Sequence, residues 1–287
     1  MDPENDQHAQ TKDSHPPAIS DSGSVRVGGR PALHFEAAIF DMDGVVTNSA
    51  IIHSRSWKRV FDEYLRLRVE RYQESFVEFT HERDYLTYLD GRPRYDGIGA
   101  FLHSRGISIP RGTPDDRMDA ETVCALGGRK NAVFNQIVET EGVDVFEGTV
   151  ALIREMLHRG LKVGLATSSY NSSVILGKTR TRHLFGTVVD GLESAILGLR
   201  GKPEPDIFVT AAANLGVASS RAIVFEDAVT GVRAGAKGGF ALVIGIAREG
   251  NARELREGGA DVVVGDLSET NLEEIDGLVQ AKRASAR

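Results

Sequence analysis

Two acidic pairs stand out in the sequence because each follows a short apolar run. Asp41 and Asp43 come directly after Ala37–Phe40 (AAIF), and Glu226 and Asp227 close the run AIVFED. Carboxylates this close repel one another, and neither is buried without a partner. If the two pairs meet at one edge of a sheet, a cation must lie between them, and ligands that are all oxygens indicate magnesium rather than zinc. The alternative for the first pair is a polar strand end that turns into solvent.

Hydroxyl groups and a lysine follow at two further points of the chain. Thr167, Ser168 and Ser169 come after LKVGLA, and short hydroxyls can bind phosphate oxygens, although Ser and Thr also favour turns and helix starts. Lys202 precedes Pro203, which suits the first turn of a helix, so this lysine is well placed for an anion. The stretch GLRGKPEPD lacks the spacing of a nucleotide-binding P-loop. Together these residues favour a site for a cation and for phosphate chemistry.

The elements that position these residues alternate between apolar runs and amphipathic stretches. The strand candidates are Ala37–Phe40, Leu161–Ala166, Ala222–Phe225, Ala241–Ile246 and Asp261–Val264. The helix candidates between them are Thr149–His158, Ser172–His183, Asp206–Leu215 and Thr230–Lys237. Nearly continuous apolar strands separated by helices indicate a parallel sheet covered on both faces, with ligands at the carboxyl ends of its strands. We therefore predict an α/β fold with a doubly wound, Rossmann-like core.

One long segment interrupts this alternation. Residues 50–146 show helical periodicity without a convincing strand, which predicts an all-helical cap domain inserted into the core. Apolar residues at helical spacing in this segment are Trp57, Val60, Phe61 and Leu65. The start of the chain is rich in Asp, Ser, Gly and Pro, which is typical of a flexible tail. The predicted organisation is a tail over 1–32, a catalytic core over 33–49 and 147–287, and a cap over 50–146.

Composition narrows the class of protein. The chain has 287 residues, 41% of them hydrophobic and 26% charged, with a formal net charge of -7. This charge argues against a general nucleic-acid binder. No apolar run approaches the roughly 20 residues that cross a bilayer, and the N-terminus lacks the segments of a signal peptide. Cys124 is the single cysteine, so no internal disulfide forms. We expect a cytoplasmic protein without a nucleic-acid or membrane partner.

Four motifs resemble those of the haloacid dehalogenase superfamily in order and context. They are DMDGVVT from Asp41, ATSS from Ala166, GKPEPD from Gly201 and VFEDA from Val224. This superfamily consists mostly of phosphatases and phosphomutases, and the resemblance covers about Phe35 to Val264. A closer resemblance is to the β-phosphoglucomutase family, carried by DMDGVVTNSAIIHSRSW from Asp41, LDGRPR from Leu89, RKN from Arg129 and SSYN from Ser168. The chain departs from that family at Asn48, which replaces an aspartate, and at Asp90, which replaces a lysine.

The resemblance implies roles for the core residues. Asp41 is the expected nucleophile, which forms an aspartyl phosphate, and Asp43 is the expected general acid and base. Thr167 and Lys202 are expected to hold the transferring phosphoryl group. The implied cofactor is Mg2+, and its expected ligands are Asp41, the backbone carbonyl of Asp43, Glu226 and Asp227.

The resemblance also implies a substrate site in the cap. Arg94 is the expected clamp for a second phosphate, with Arg55 and Arg92 as weaker candidates. His53 and Lys130 are expected to engage Asp43 when the cap closes, although a histidine on the face of an amphipathic helix is the alternative for His53. The remaining residues expected to bind phosphate or substrate are Ser168, Ser169 and Asn171.

These roles predict a magnesium-dependent phosphoryl-transfer enzyme that acts on a small-molecule sugar phosphate. We expect the protein to be a monomer. The implied reaction interconverts β-glucose 1-phosphate and glucose 6-phosphate. The alternative is a sugar-phosphate phosphatase on the same core, in which water accepts the phosphoryl group. A non-catalytic binding or scaffold protein is a third possibility, disfavoured because no acidic motif residue is missing.

Overall fold

A computed structural model of the protein describes residues 26–27 and 30–285. Arg26–Val27 (β1) and Arg30–Pro31 (β2) pair as a short antiparallel hairpin. The described residues from His34 onward form one compact unit. Most of the tail predicted over 1–32 lies outside the described residues.

The compact unit is built on a parallel sheet of six strands. They are β3 (Ala37–Phe40), β4 (Lys162–Ala166), β5 (Thr187–Val189), β6 (Ala222–Glu226), β7 (Leu242–Ile246) and β8 (Val262–Val264). Their order is β5-β4-β3-β6-β7-β8, so the chain proceeds outward from β3 in both directions and the sheet is doubly wound. This confirms the predicted fold class. The carboxyl end of β3 lies at the reversal point, where ligands of such sheets bind.

The predicted strands agree with the structure to within one residue at each end, and β5 is an addition. It has three residues and forms one edge of the sheet, which is too short to show a periodic pattern.

Residues 50–141 contain helices and no strand. They are α1 (Ala50–Tyr72), a π-helix (His81–Leu89), α2 (Arg94–Ser104) and α3 (Val123–Glu141). Phe61, Phe79 and Phe101 form an aromatic cluster among them, with ring centroids 4.2 to 5.3 Å apart. The two connections to the sheet lie side by side, because Thr47 and Val145 form an antiparallel bridge. The division into a core and a cap stays a prediction, and "cap" below means residues 50–146.

Further helices accompany the strands of the sheet. They are α4 (Glu147–His158), α5 (Ser172–Thr179), α6 (Gly191–Leu197), α7 (Asp206–Asn214), α8 (Val229–Lys237), α9 (Ala252–Gly258) and α10 (Leu272–Ser285). Phe208 of α7 is fully buried in one hydrophobic cluster with Ile39 and Val224 of the sheet. The helix predicted over Ser172–His183 was too long, because Arg180 takes a left-handed backbone conformation with φ 56° and ends it. Among the described residues, no helix is both long and apolar enough to cross a membrane.

Candidate active site

A tight turn follows β3 and places its first acidic residues at the edge of the sheet. The backbone N–H of Asp41 donates to the carbonyl of Phe225 at 3.0 Å, which fixes the end of β3 beside the end of β6. Gly44 has φ 86°, a left-handed conformation that favours glycine. A Cβ at Gly44 would lie 1.8 Å from Oδ2 of Asp227. Glycine therefore lets the Asp227 carboxylate lie directly against the turn.

Asp41, Glu226 and Asp227 form a buried acidic cluster. One carboxylate oxygen of each lies within 4.8 Å of the others, and the three residues are 5%, 0% and 7% exposed. Burial raises the pKa of Asp41 and of Asp227 well above the ordinary aspartate value, and the charge of Glu226 raises both further. Buried carboxylates that disfavour one another's ionisation, and that offer oxygen donors alone, fit a hard divalent cation.

Lys202 compensates part of the charge of this cluster. Its Nζ donates to Oδ1 of Asp41 at 2.6 Å and to Oε2 of Glu226 at 2.7 Å. Burial lowers the pKa of Lys202, but the charges of Asp41 and Glu226 raise it more, so the lysine stays protonated. If all three carboxyl groups are ionised, one ammonium leaves an excess of negative charge, and this excess is what raises the pKa of Asp41 and Asp227 further. A bound cation would offset that excess.

The side chain of Asp43 turns to a different set of partners. Ser49 Oγ donates to Oδ1 of Asp43, and Thr167 Oγ1 donates to Oδ2 at 3.4 Å. Nε2 of His53 lies 3.3 Å from Oδ1 of Asp43. Burial raises the pKa of Asp43, but His53 and Ser49 lower it more, so the net pKa falls below the ordinary aspartate value. An ionised carboxylate with hydroxyl and imidazole neighbours suits proton transfer.

His53 and Lys130 of the cap continue the polar contacts of Asp43. Nζ of Lys130 is hydrogen-bonded to Nδ1 of His53, and it lies 4.5 Å from the ring centroid of Phe134. Burial, followed by the charge of Arg94, lowers the pKa of Lys130 well below the ordinary lysine value. Burial and the charge of Lys130 lower the pKa of His53. Lys130, His53 and Asp43 thus form a continuous line of polar contacts from α3 to the turn after β3.

A cavity of about 60 Å³ lies between the acidic cluster and the cap. The predicted site residues that line it are Asp41, Asp43, His53, Arg92, Arg94, Lys130, Thr167, Ser168, Ser169, Glu226 and Asp227. Lys202 and Asn171 are not in this lining. Lys202 reaches the site through its bonds to the carboxylates, and Asn171 is buried with no partner for its Nδ2.

Arg94 enters the cavity from the first turn of α2. Its Nη2 donates to Oδ1 of Asn131 at 2.9 Å, and its guanidinium carbon lies 4.7 Å from the ring centroid of Tyr170. These two contacts orient the planar guanidinium. Arg55, one of the weaker clamp candidates, pairs with Glu141 at the exposed surface at 2.7 Å and does not line the cavity.

The loop before α2 lies against the core. Ser168 Oγ donates to the carbonyl of Gly91 at 3.0 Å, and Thr230 Oγ1 donates to the carbonyl of Asp90 at 3.3 Å. Gly91 has φ 65°, and a Cβ there would lie 2.4 Å from Thr230 Oγ1. A glycine is thus required for this close approach.

Tyr85, Asp90 and Tyr170 also line the cavity, and sequence reasoning assigned none of them a role in the site. Burial, followed by the charge of Glu226, raises the pKa of Asp90 to about 7. Asp90 stands out in the sequence only as a departure from a family pattern, which assigns it no role. Tyr85 lies in the π-helix, whose period differs from that of an α-helix, so periodicity gives no signal for it. Tyr170 follows Ser169 directly, and that adjacency is the one available signal.

Comparisons with known proteins identify the family to which the chain belongs. The family model for haloacid dehalogenase-like hydrolases matches residues 35–239, and the chain belongs to this family of phosphoryl-transfer enzymes. Its relatives place it among the β-phosphoglucomutase-like members, which makes it a phosphomutase or a phosphatase. A β-phosphoglucomutase of Mycobacterium bovis is 45% identical over 85% of this chain and 94% of that protein.

Two further comparisons extend this result. A β-phosphoglucomutase of Bacillus subtilis is 30% identical over 83% of this chain and 92% of that protein. The crystal structure of a β-phosphoglucomutase from Clostridium difficile superposes with a TM-score of 0.69, at 20% identity, over 87% of this chain and 99% of that one. At that identity the superposition supports the fold.

Proposed function

We propose that the protein is a magnesium-dependent β-phosphoglucomutase, which interconverts β-glucose 1-phosphate and glucose 6-phosphate through an aspartyl phosphate. The observation that carries the proposal is the two-sided cavity. The core side presents the acidic cluster, and the cap side presents the cationic or proton-carrying groups of Arg94, Lys130 and His53. A mutase passes through a sugar bisphosphate, so it needs one site for the reacting phosphate and another for the distal one. The 45% identical relative supports the same reaction.

Asp41 is the proposed nucleophile. A carboxylate oxygen of Asp41 attacks the phosphorus of the bound bisphosphate, and the bond from phosphorus to the sugar oxygen breaks. The electron pair of that bond leaves with the sugar oxygen, which takes a proton from Asp43. The reverse transfer begins when ionised Asp43 removes the proton of an acceptor hydroxyl. The downward pKa shift of Asp43 supports this second role.

The proposed cation ligands are Asp41, Glu226, Asp227 and the backbone carbonyl of Asp43. Mg2+ bound there would offset the negative charge of the carboxylates and of the phosphate oxygens. Lys202 holds Asp41 and Glu226 in place by two charge-assisted hydrogen bonds. The hydroxyl of Thr167, at the end of β4, is within reach of the same cavity and can donate to a phosphate oxygen.

The cap decides which oxygen accepts the phosphoryl group. If the distal phosphate binds Arg94, the sugar presents a hydroxyl to Asp43 and water is displaced, which gives a mutase. If water reaches the aspartyl phosphate instead, the same core works as a sugar-phosphate phosphatase. The contacts of the loop before α2 with Ser168 and Thr230 close the cavity on that side and favour the mutase.

The test is a screen of hexose phosphates with Mg2+, with and without a hexose bisphosphate primer, in which the products are identified by NMR. We expect glucose 6-phosphate to form from β-glucose 1-phosphate when the bisphosphate is present. Release of inorganic phosphate without any glucose 6-phosphate would refute the mutase and establish the phosphatase. Removal of Mg2+ by EDTA should stop the reaction, and its return should restore it.

A further inference from the structure

The loop between β7 and α9, residues 247–251, touches the turn after β3. Nε of Arg248 donates to the carbonyl of Gly44 at 3.2 Å. The same guanidinium lies 3.7 Å from the ring centroid of Phe146 and is hydrogen-bonded to Asp266. The side chain is largely buried, with 16% exposure. Arg248 is therefore held on three sides, and it fixes the backbone that follows Asp43.

The last residue of this loop touches the second acidic pair. Nδ2 of Asn251 donates to the backbone carbonyl of Asp227 at 3.1 Å. Its Oδ1 is buried and has no hydrogen-bond partner. Arg248 and Asn251 thus hold the main chain of both segments whose carboxylates meet in the acidic cluster.

Glu249 lies between Arg248 and Asn251 in the sequence, and its side chain contacts the cap. Its Oε2 lies 3.1 Å from Nε2 of His81, at the start of the π-helix. Nδ1 of His81 lies 2.8 Å from Oγ of Ser54 on α1. Ser54 is buried, with 4% exposure, so His81 is oriented from the cap while it contacts the core. The pair exists only when this side of the cap lies against the sheet.

We propose that residues 247–251, the relay loop, couple the position of the cap to the geometry of the acidic cluster. Glu249 contacts His81 of the cap. Arg248 and Asn251 bind the backbone carbonyls of Gly44 and Asp227, in the two segments that carry the acidic cluster. Arg248, Glu249 and Asn251 are positioning residues, since none of them lines the cavity. Residues that orient metal ligands are known to change metal affinity by about 10–100-fold when they are removed. The inference rests on the proposed magnesium site.

The first arm of the test measures Mg2+ binding by calorimetry. In Asn251→Ala the carbonyl of Asp227 loses its donor, so we expect affinity for Mg2+ to fall by about tenfold or more. Arg253→Ala is the matched control, because Arg253 is exposed and pairs with Glu257 within α9. Equal affinities in Asn251→Ala, the control and the wild type would overturn the inference. Absence of Mg2+ binding by the wild type would instead overturn the proposed function.

The second arm measures the coupling itself. Mg2+ affinity is determined with and without glucose 6-phosphate. Fluorescence emission of Trp57 is recorded in the same samples. Trp57 is the single tryptophan and lines the cavity, so its emission reports on the position of the cap. In the wild type we expect glucose 6-phosphate to raise Mg2+ affinity by about fivefold or more. Glu249→Ala should abolish this increase and leave the affinity without sugar phosphate unchanged. Glu249→Gln keeps an acceptor for His81 and should restore most of the increase.

Two results would overturn the coupling. One is a wild type whose Mg2+ affinity does not respond to glucose 6-phosphate although the emission of Trp57 changes. The other is a Glu249→Ala protein that keeps the full increase. A merely structural role predicts a lower melting temperature with normal coupling, and melting curves of each variant distinguish that case.

Discussion

Replacement of Lys202 by methionine tests how the acidic cluster is stabilised. The ammonium lies 2.6 Å from Asp41 and 2.7 Å from Glu226, and the three residues are 4%, 5% and 0% exposed. Methionine has a similar length and fills the same space, but it leaves two buried carboxylates without their counter-charge. Breaking a buried ion pair in this way costs about 3–5 kcal/mol of folding free energy. We expect Lys202→Met to lose stability of this size in EDTA near neutral pH.

The loss should depend on pH in a defined direction. Burial raises the pKa of Asp41, and Lys202 is the largest influence that lowers it, so removal of the lysine raises that pKa further. A carboxyl group whose pKa is higher in the folded state than in the unfolded state destabilises the protein above its folded pKa. This penalty shrinks as the pH falls below the folded pKa, because the folded protein takes up the proton before the unfolded chain does, and it is gone below the unfolded pKa. The removal of Lys202 adds ionisation penalty only where Asp41 is still ionised in the wild type, so the deficit of Lys202→Met should be larger at about pH 7.5 than at about pH 5.

Urea unfolding at both pH values, followed by circular dichroism, measures these differences. Lys178→Met is the matched control, since Lys178 pairs with Glu139 at 2.5 Å but the two side chains are 41% and 71% exposed. An exposed pair contributes about 0–1 kcal/mol, so the control should stay close to the wild type. A Lys202→Met protein as stable as the control, or a deficit that does not change with pH, would refute the reasoning about the buried cluster.

Three further variants test the proposed chemistry. Asp43→Asn should fold normally and lower kcat by about 10²–10⁴-fold, as loss of a general acid and base does. A decrease below about tenfold would show that another group carries out the proton transfer. Gly44→Ala places a Cβ 1.8 Å from Oδ2 of Asp227, so calorimetry should show weaker Mg2+ binding, and unchanged binding would contradict the cluster geometry. Arg94→Ala should reduce sugar-phosphate isomerisation about tenfold or more beyond its effect on p-nitrophenyl phosphate hydrolysis. Arg55→Ala is its surface control, and equal losses of both activities would give Arg94 a structural role.

The doubly wound core could be predicted from the sequence because its strands are nearly continuous apolar runs. A strand that is buried on both faces requires such a run. Acidic or hydroxyl residues that can bind a cation or phosphate follow three of these runs. Asp41, Glu226 and Asp227 could be assigned to one edge because parallel strands all end on the same side of a sheet. The structure places them there, with one oxygen of each within 4.8 Å of the others. β5 escaped prediction, since three residues at a sheet edge carry too little pattern.

The partners of these residues were decided by the tertiary structure. Lys202 was expected near an anion, but only the fold shows that its anions are Asp41 and Glu226. Asp90 and Tyr85 join the cavity because the cap brings a loop and a π-helix against the core. Contacts between residues far apart in the chain follow no local periodicity, so no spacing could reveal them.

The sequence by itself thus determined the fold class, the acidic motifs and the family. These depend on local pattern and on residue types at strand ends, which a linear chain displays directly. The shifted pKa values of Asp41, Asp43 and Lys130 depend instead on burial and on charges from other elements. The contact between Glu249 and His81 also depends on the fold, since the two residues are 168 positions apart in the chain. Such properties exist only once the chain has folded, because they are set by distances in space.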